Sequence, residues 1–160
     1  VVGGGDPRQL SVAAGLSAVP ADAETIAVHD GARPLVTAEV ITHAIEVLRS
    51  DTGLDGVVVG HPAYDTIKVV DPDGRVVRTA DRAVLWIAQT PQVFRATALR
   101  QAYVLAAARG VEGTDDAALV EAAGGVVLMV PGPRDNIKVT VPEDLAVVER
   151  VLAERGRTRS

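Results

Sequence analysis

The sequence predicts a single α/β domain in which a mostly parallel sheet is flanked by helices and carries one inserted β-hairpin. Three observations point that way. Short β-branched runs such as Thr25-Ile26-Ala27-Val28 alternate with segments of helical periodicity. Polar residues follow those runs directly, where open α/β sheets bind their ligands. Asp71-Pro72-Asp73-Gly74, a strong turn signal, separates two further β-branched segments.

The elements follow in order. Val1-Val2 reads as the end of a strand running into Gly3-Gly4-Gly5. Thr25-Ile26-Ala27-Val28 is a strand that stops at His29-Asp30-Gly31-Ala32-Arg33-Pro34, and Thr37 caps a helix reaching Arg49. Asp55-Gly56-Val57-Val58-Val59-Gly60 is a buried strand; with the first strand it forms a βαβ unit, paired in parallel. The hairpin occupies about 64–81, with Lys68, Arg75 and Arg78 among its β-branched residues, and projects from the body in need of a surface to pack on. An apolar stretch at 84–88 leads to Thr90-Pro91-Gln92 at its end. Helical periodicity runs from Thr97 to Arg109, and Thr114 can cap a further helix that Gly124-Gly125 stops. A strand at 126–130 is broken by Pro131-Gly132-Pro133, and 136–140 is a strand or an extended segment. Pro142 opens a last amphipathic helix with Leu145, Val148 and Leu152 on its apolar side. The domain spans 1–154, and the basic tail 155–160 is expected to be disordered.

Composition narrows the function classes. With 48% hydrophobic residues among 160, the chain can build a real core. A net charge of -5 argues against broad electrostatic binding to nucleic acid or an anionic membrane. The absence of cysteine excludes a disulfide framework, a thiolate metal site and a cysteine nucleophile. No basic leader and no long apolar run are visible, which predicts a soluble, cytoplasmic protein. Starting at Val1 without Met, the chain is expected to continue upstream.

Candidate site residues lie after the strands. Asp30 can accept hydrogen bonds from sugar hydroxyls, and Arg33 can fork onto phosphate; alternatively the two pair and order their loop. Thr90 offers a hydroxyl beside a rigid proline. Thr114 either binds an anion at a helix start or simply caps it. Only two of the sixteen basic residues are lysines, so Lys138 at a strand end is a candidate phosphate ligand rather than solubilising charge. The alternative is a lysine snorkelling past a strand, as Lys68 could be. His29, His43 and His61 are too scattered for a metal site or a triad, and Asp115-Asp116 reads as first-turn acid.

Six blocks in order carry a family resemblance: Gly4-Gly5-Asp6-Pro7-Arg8-Gln9-Leu10-Ser11-Val12, His29-Asp30-Gly31-Ala32-Arg33-Pro34, Asp65-Thr66-Ile67-Lys68, Gln89-Thr90-Pro91-Gln92-Val93-Phe94, Thr114-Asp115-Asp116 and Asp135-Asn136-Ile137-Lys138-Val139-Thr140. They resemble the 2-C-methyl-D-erythritol 4-phosphate cytidylyltransferases. The resemblance implies a Rossmann-like nucleotidyltransferase sheet and transfer of CMP from CTP to 2-C-methyl-D-erythritol 4-phosphate. Pyrophosphate is released, in the non-mevalonate route to isoprenoids, and Mg2+ enters with CTP; no protein metal ligands are assigned. By matching positions, Gly5, Asp6 and Ser11 surround the cytosine, while Asp30 and Gly31 lie near the ribose and acceptor. Lys138 stabilises the reacting phosphates. The resemblance also makes the hairpin a homodimer arm, which delivers Thr66 and Arg82 to a partner pocket holding Asp30, Arg33, Thr90, Thr114 and Lys138. The family's upstream glycine-rich phosphate loop has no counterpart between Val1 and Gly5, so this chain alone is expected to be truncated and nearly inactive. A ribitol 5-phosphate cytidylyltransferase is the near rival, and Arg82 with Leu85-Trp86, and Asp135 before Asn136, favour the methylerythritol enzymes. A non-catalytic dimerisation or binding module is the rival from another class.

Overall fold

The computed structural model describes residues 1–6 and 8–158. Its elements are α1 (Arg8–Ala18), β1 (Thr25–Val28), α2 (Ala38–Ser50), β2 (Gly56–Pro62), β3 (Lys68–Val70), β4 (Val76–Thr79), a 3-10 turn (Arg82–Val84), β5 (Trp86–Arg95), α3 (Ala96–Arg109), α4 (Asp116–Ala122), β6 (Val127–Pro131) and α5 (Glu143–Thr158).

The main sheet has the order β1-β5-β2-β6. β5 is antiparallel to both β1 and β2, while β6 runs parallel to β2. The sheet is therefore mixed rather than mostly parallel, and the expected parallel pairing of β1 with β2 does not form. The hairpin explains this. Chain leaving β2 at Pro62 goes out along β3, returns along β4 and re-enters the sheet from the same end, so β5 must run against β2 and takes the place beside it. β1, β2 and β6 still point the same way, and their ends define one edge of the sheet.

Side chains alternate across the sheet as the pleat requires. Val57 and Val59 of β2 and Val93 of β5 face α2, where Ala44 and Leu48 complete one core. Val58 and Phe94 face the other way, into a core with Leu16, Leu99, Tyr103 and Leu119 from α1, α3 and α4. Burying a side chain of this size stabilises the fold by about 1.5–3 kcal/mol, so these two layers supply most of what holds the sheet.

Thr37 caps α2, accepting from the Val40 N–H, and Gly124 ends α4 at a φ of 88°. Four local expectations change. Val1-Val2 forms no strand. Residues 136–140 are extended but unpaired as a strand, held by the Val139 N–H donating to the Ala32 carbonyl at 2.8 Å. Leu145 and Leu152 are about half exposed, leaving Val148 as the buried anchor of α5. The tail from Arg155 continues α5 to Thr158 instead of being disordered, because Arg155 is tied to Asp135 and to the Leu35 carbonyl; Arg159 and Ser160 lie outside the described residues. Basic residues in a last turn also complement the helix dipole.

The hairpin stands apart from these cores. β3 and β4 pair only with each other, and Val70, Val76 and Val77 are at least half exposed. Its turn is built on Asp71, whose carboxylate accepts from the Asp73 and Arg75 N–H groups, with Gly74 at a φ of 80° that other residues rarely adopt. Among the described residues no helix is long and apolar enough to cross a membrane.

Candidate active site

The loop after β1, the reversed strand β5 and the segment after β6 meet at one edge of the sheet. β1 makes its last pairing at Val28, opposite Gln92. Thr90 is therefore in the middle of β5 rather than at a strand end, yet just beyond the end of β1 and buried beside the loop that follows. Its hydroxyl accepts from the Asp30 N–H at 3.1 Å and lies 3.0 Å from His29 Nδ1. His29 Nε2 is 3.1 Å from the Arg33 carbonyl, which can only accept. Nε2 thus donates to that carbonyl, and the structural role expected of His29 becomes a specific one: bonded to Thr90 on one side and to the Arg33 carbonyl on the other, it closes the loop.

The segment after β6 docks on the same loop. Gly132 approaches so closely that a Cβ there would fall 2.3 Å from Val59 Cγ1, and its N–H donates to the Gly60 carbonyl at 2.7 Å. The fully buried Asn136 side chain donates to the Thr90 carbonyl at 2.8 Å, and the Asn136 backbone carbonyl accepts from Arg33 Nη1 at 2.8 Å. Arg33 is therefore spent on the backbone of this segment and does not pair with Asp30, contrary to one of the two expectations for it. Burial lowers the Arg33 pKa, and the charge of Asp30 partly offsets that.

These contacts deliver Lys138 to Asp30, with Nζ 2.9 Å from Oδ2. Lys138 is thus neither snorkelling nor on a strand. The other Asp30 oxygen, Oδ1, lies 3.1 Å from Arg8 Nη2 at the start of α1. Burial alone would raise the Asp30 pKa, but the Lys138 hydrogen bond and the charges of Arg8 and Lys138 hold it below the usual carboxylate range. Arg8 reaches on to Asp116, whose carboxylate is fully buried, at 2.9 Å. Tyr103 donates its hydroxyl to Asp116 at 2.5 Å, and burial followed by that bond pushes its pKa well up.

At the start of α4 the cap is Asp115, which accepts from the Ala118 N–H at 2.9 Å; Thr114 sits one residue outside, exposed, on the rim of a cavity of about 80 Å3 that Arg8, Asp115 and Asp116 also line. Gln92 of β5 holds this turn in place, donating to Asp115 at 2.6 Å and accepting from the Ala117 N–H at 3.1 Å. Near the N-terminus the Ser11 hydroxyl bonds both the N–H and the carbonyl of Gly5, at 2.9 and 2.8 Å, so the segment expected to contact a base is folded onto α1 with Asp6 exposed beside it. Gly31 is exposed at the loop tip next to Asp30.

Thr66 and Arg82 are not brought to this pocket within the chain. Thr66 is exposed at the root of the hairpin, and Arg82, in the 3-10 turn, donates among the described residues to the Tyr64 carbonyl at 2.8 Å. Five contributors escaped the sequence reading: Arg8, Gln92, Tyr103, Asn136 and the buried half of the Asp115-Asp116 pair. An acidic pair at a helix start was visible, but nothing local marks which member is buried.

A mixed sheet bordered by helices, a hairpin thrown out between two of its strands, and cations gathered on a carboxylate at the strand ends define an α/β protein with a charged pocket at its sheet edge. The family model for IspD, 2-C-methyl-D-erythritol 4-phosphate cytidylyltransferase, matches residues 1–154, and the chain belongs to that family. Relatives of that name from Thermosynechococcus vestitus and Caldanaerobacter subterraneus are 46% and 47% identical over 97% and 95% of this chain. The chain spans 65% and 66% of their lengths. The solved 4-diphosphocytidyl-2C-methyl-D-erythritol synthase from Anaerococcus prevotii superposes with a TM-score of 0.85 at 32% identity, covering 94% of this chain and 68% of that one.

Proposed function

We propose that the protein transfers CMP from CTP to 2-C-methyl-D-erythritol 4-phosphate, giving 4-diphosphocytidyl-2-C-methyl-D-erythritol and pyrophosphate in the non-mevalonate isoprenoid pathway, in the cytoplasm. The observation that carries this reading is the family match over residues 1–154. The convergence of Asp30, Thr90, Arg33 and Lys138 on one edge of the sheet supports it. In the reaction an acceptor phosphate oxygen attacks the α-phosphorus of CTP in line, a new P–O bond forms, and the bond to the bridging oxygen breaks as pyrophosphate leaves. Two anions must be brought together, so positioning and cationic charge supply the catalysis without a covalent intermediate.

Lys138 is the cation of the pocket with the freedom for this task, its side chain 43% exposed on a flexible stem. Asp30 accepts from hydroxyls of the ribose or acceptor, and Gly5, Asp6 and Ser11 take the base. Arg82 and Thr66 act on the pocket of a second copy, with the exposed valines of the arm as the surface that pairs the two. Magnesium would enter with CTP and, bound to the triphosphate, would neutralise part of its charge.

The names of the relatives favour methylerythritol phosphate over ribitol phosphate as acceptor. The test is pyrophosphate release from CTP by the full-length protein with each acceptor in turn. Release with methylerythritol phosphate alone is expected; release with ribitol 5-phosphate alone would move the assignment, and release with neither would leave a binding module.

A further inference from the structure

Arg8 touches two carboxylates of opposite character. Asp30, on the side toward substrate, receives Arg8 Nε at 3.2 Å and Nη2 at 3.1 Å. Asp116, behind it, is fully buried and receives Nη2 at 2.9 Å through one oxygen and the Tyr103 hydroxyl at 2.5 Å through the other. With both oxygens engaged, the Asp116 carboxylate cannot turn without stranding a buried charge, a costly step. The Arg8 guanidinium is thereby fixed from behind. Lys138 holds the remaining Asp30 oxygen, Oδ2, at 2.9 Å, and nothing comparable anchors it.

We propose that Arg8 is a positioning residue: anchored on Asp116 and Tyr103, it keeps the Asp30 carboxylate in place while Lys138 is drawn away to the phosphates. This rests on the cytidylyl-transfer reading for its purpose, but the anchoring is a property of the folded protein. Without such a brace, moving Lys138 would leave Asp30 free to rotate or to take up a proton. The charged groups facing Asp30 are Arg8 from α1, Lys138 from the segment after β6 and Arg33 from its own loop; β5 presents neutral Thr90 with His29 behind it, and Asp116 of α4 acts only through Arg8.

The experiment follows the Asp30 carboxyl carbon by NMR titration in wild type, Arg8→Gln and Arg8→Lys, with kcat/KM against pH measured on the same proteins. In Arg8→Gln, Asp30 is expected to titrate about one pH unit higher, with the acidic limb of the activity profile moving the same way. Arg8→Lys keeps the charge but cannot fork onto both carboxylates, so Asp30 should titrate near wild type while kcat/KM falls about tenfold. A purely structural role would lower the melting temperature and leave the titration of Asp30 where it was; that result in Arg8→Gln overturns the proposal. Should Arg8→Gln not fold, unchanged kcat/KM in Arg8→Lys overturns it instead. If the full-length wild type transfers no cytidylyl group, the functional reading fails, and the NMR arm still decides whether Arg8 holds Asp30.

Discussion

The Asp30 pocket and the β3–β4 arm are built on opposite plans. In the pocket, α1, the loop after β1, β5, α4 and the segment after β6 each contribute a polar side chain, and those side chains bond between elements distant in sequence, by as many as 108 residues from Arg8 to Asp116. In the arm every bond is local: Lys68 to Thr79, Arg75 to Asp73, backbone to Asp71. The pocket buries Asp116 and pairs it with Arg8 within one chain, whereas the arm exposes Val70, Val76 and Val77 and leaves them uncovered. A pocket substitution should therefore act on chemistry and stability together, while an arm substitution should act on assembly or on chemistry and leave the monomer fold alone.

The contrast is broken most severely at Lys138. Lys138→Ala should lower kcat/KM by about 10²–10³-fold, as loss of a charged transition-state donor does, and a steady-state assay reads it. Arg82→Ala comes next, at roughly a hundredfold or more. Because Arg82 is exposed and, among the described residues, bonded to a backbone carbonyl, the melting temperature should not move; near-normal turnover would refute the trans role.

Stability sharpens the comparison further. Asn136→Leu removes the buried donor to the Thr90 carbonyl and should cost about 1–3 kcal/mol in denaturant unfolding. Val77→Thr on the arm should stay within about 0.5 kcal/mol in the monomer while weakening self-association. The smallest effect is a pH dependence. The pKa of Asp30 is lowered in the fold, so its contribution to stability is fully present above the ordinary carboxylate value of 3.8 and is lost as pH falls through the lower folded value. Asp30→Asn should accordingly be less stable than wild type at pH 7, and the gap should begin to narrow near pH 4 and close only below the lower folded value.

The same contrast explains what the sequence disclosed. Local features were legible. The valine runs of β2 and β6, the Thr37 cap, the glycines ending α4 and the Asp71–Gly74 turn each depend on neighbours in sequence, and each formed where expected. α1 was missed because its Ala, Ser and Gly residues give no clear apolar stripe. The place of β5 was illegible because it depends on where the arm returns the chain, not on the composition of the strand. Within the pocket, Asp30, Thr90 and Lys138 could be named from residue type and placement after apolar runs. Their partners could not: which of Asp115 and Asp116 is buried, and that Arg33 serves Asn136 rather than Asp30, are decided by contacts across the fold.

The most direct measurement mixes two disabled proteins, Arg82→Ala and Lys138→Ala, in equal amounts under conditions of subunit exchange. If one copy's arm completes the other's pocket, mixed dimers carry one site with both cations, and activity should recover to about a quarter of wild type. No recovery above the separate variants would contradict an arm that works in trans.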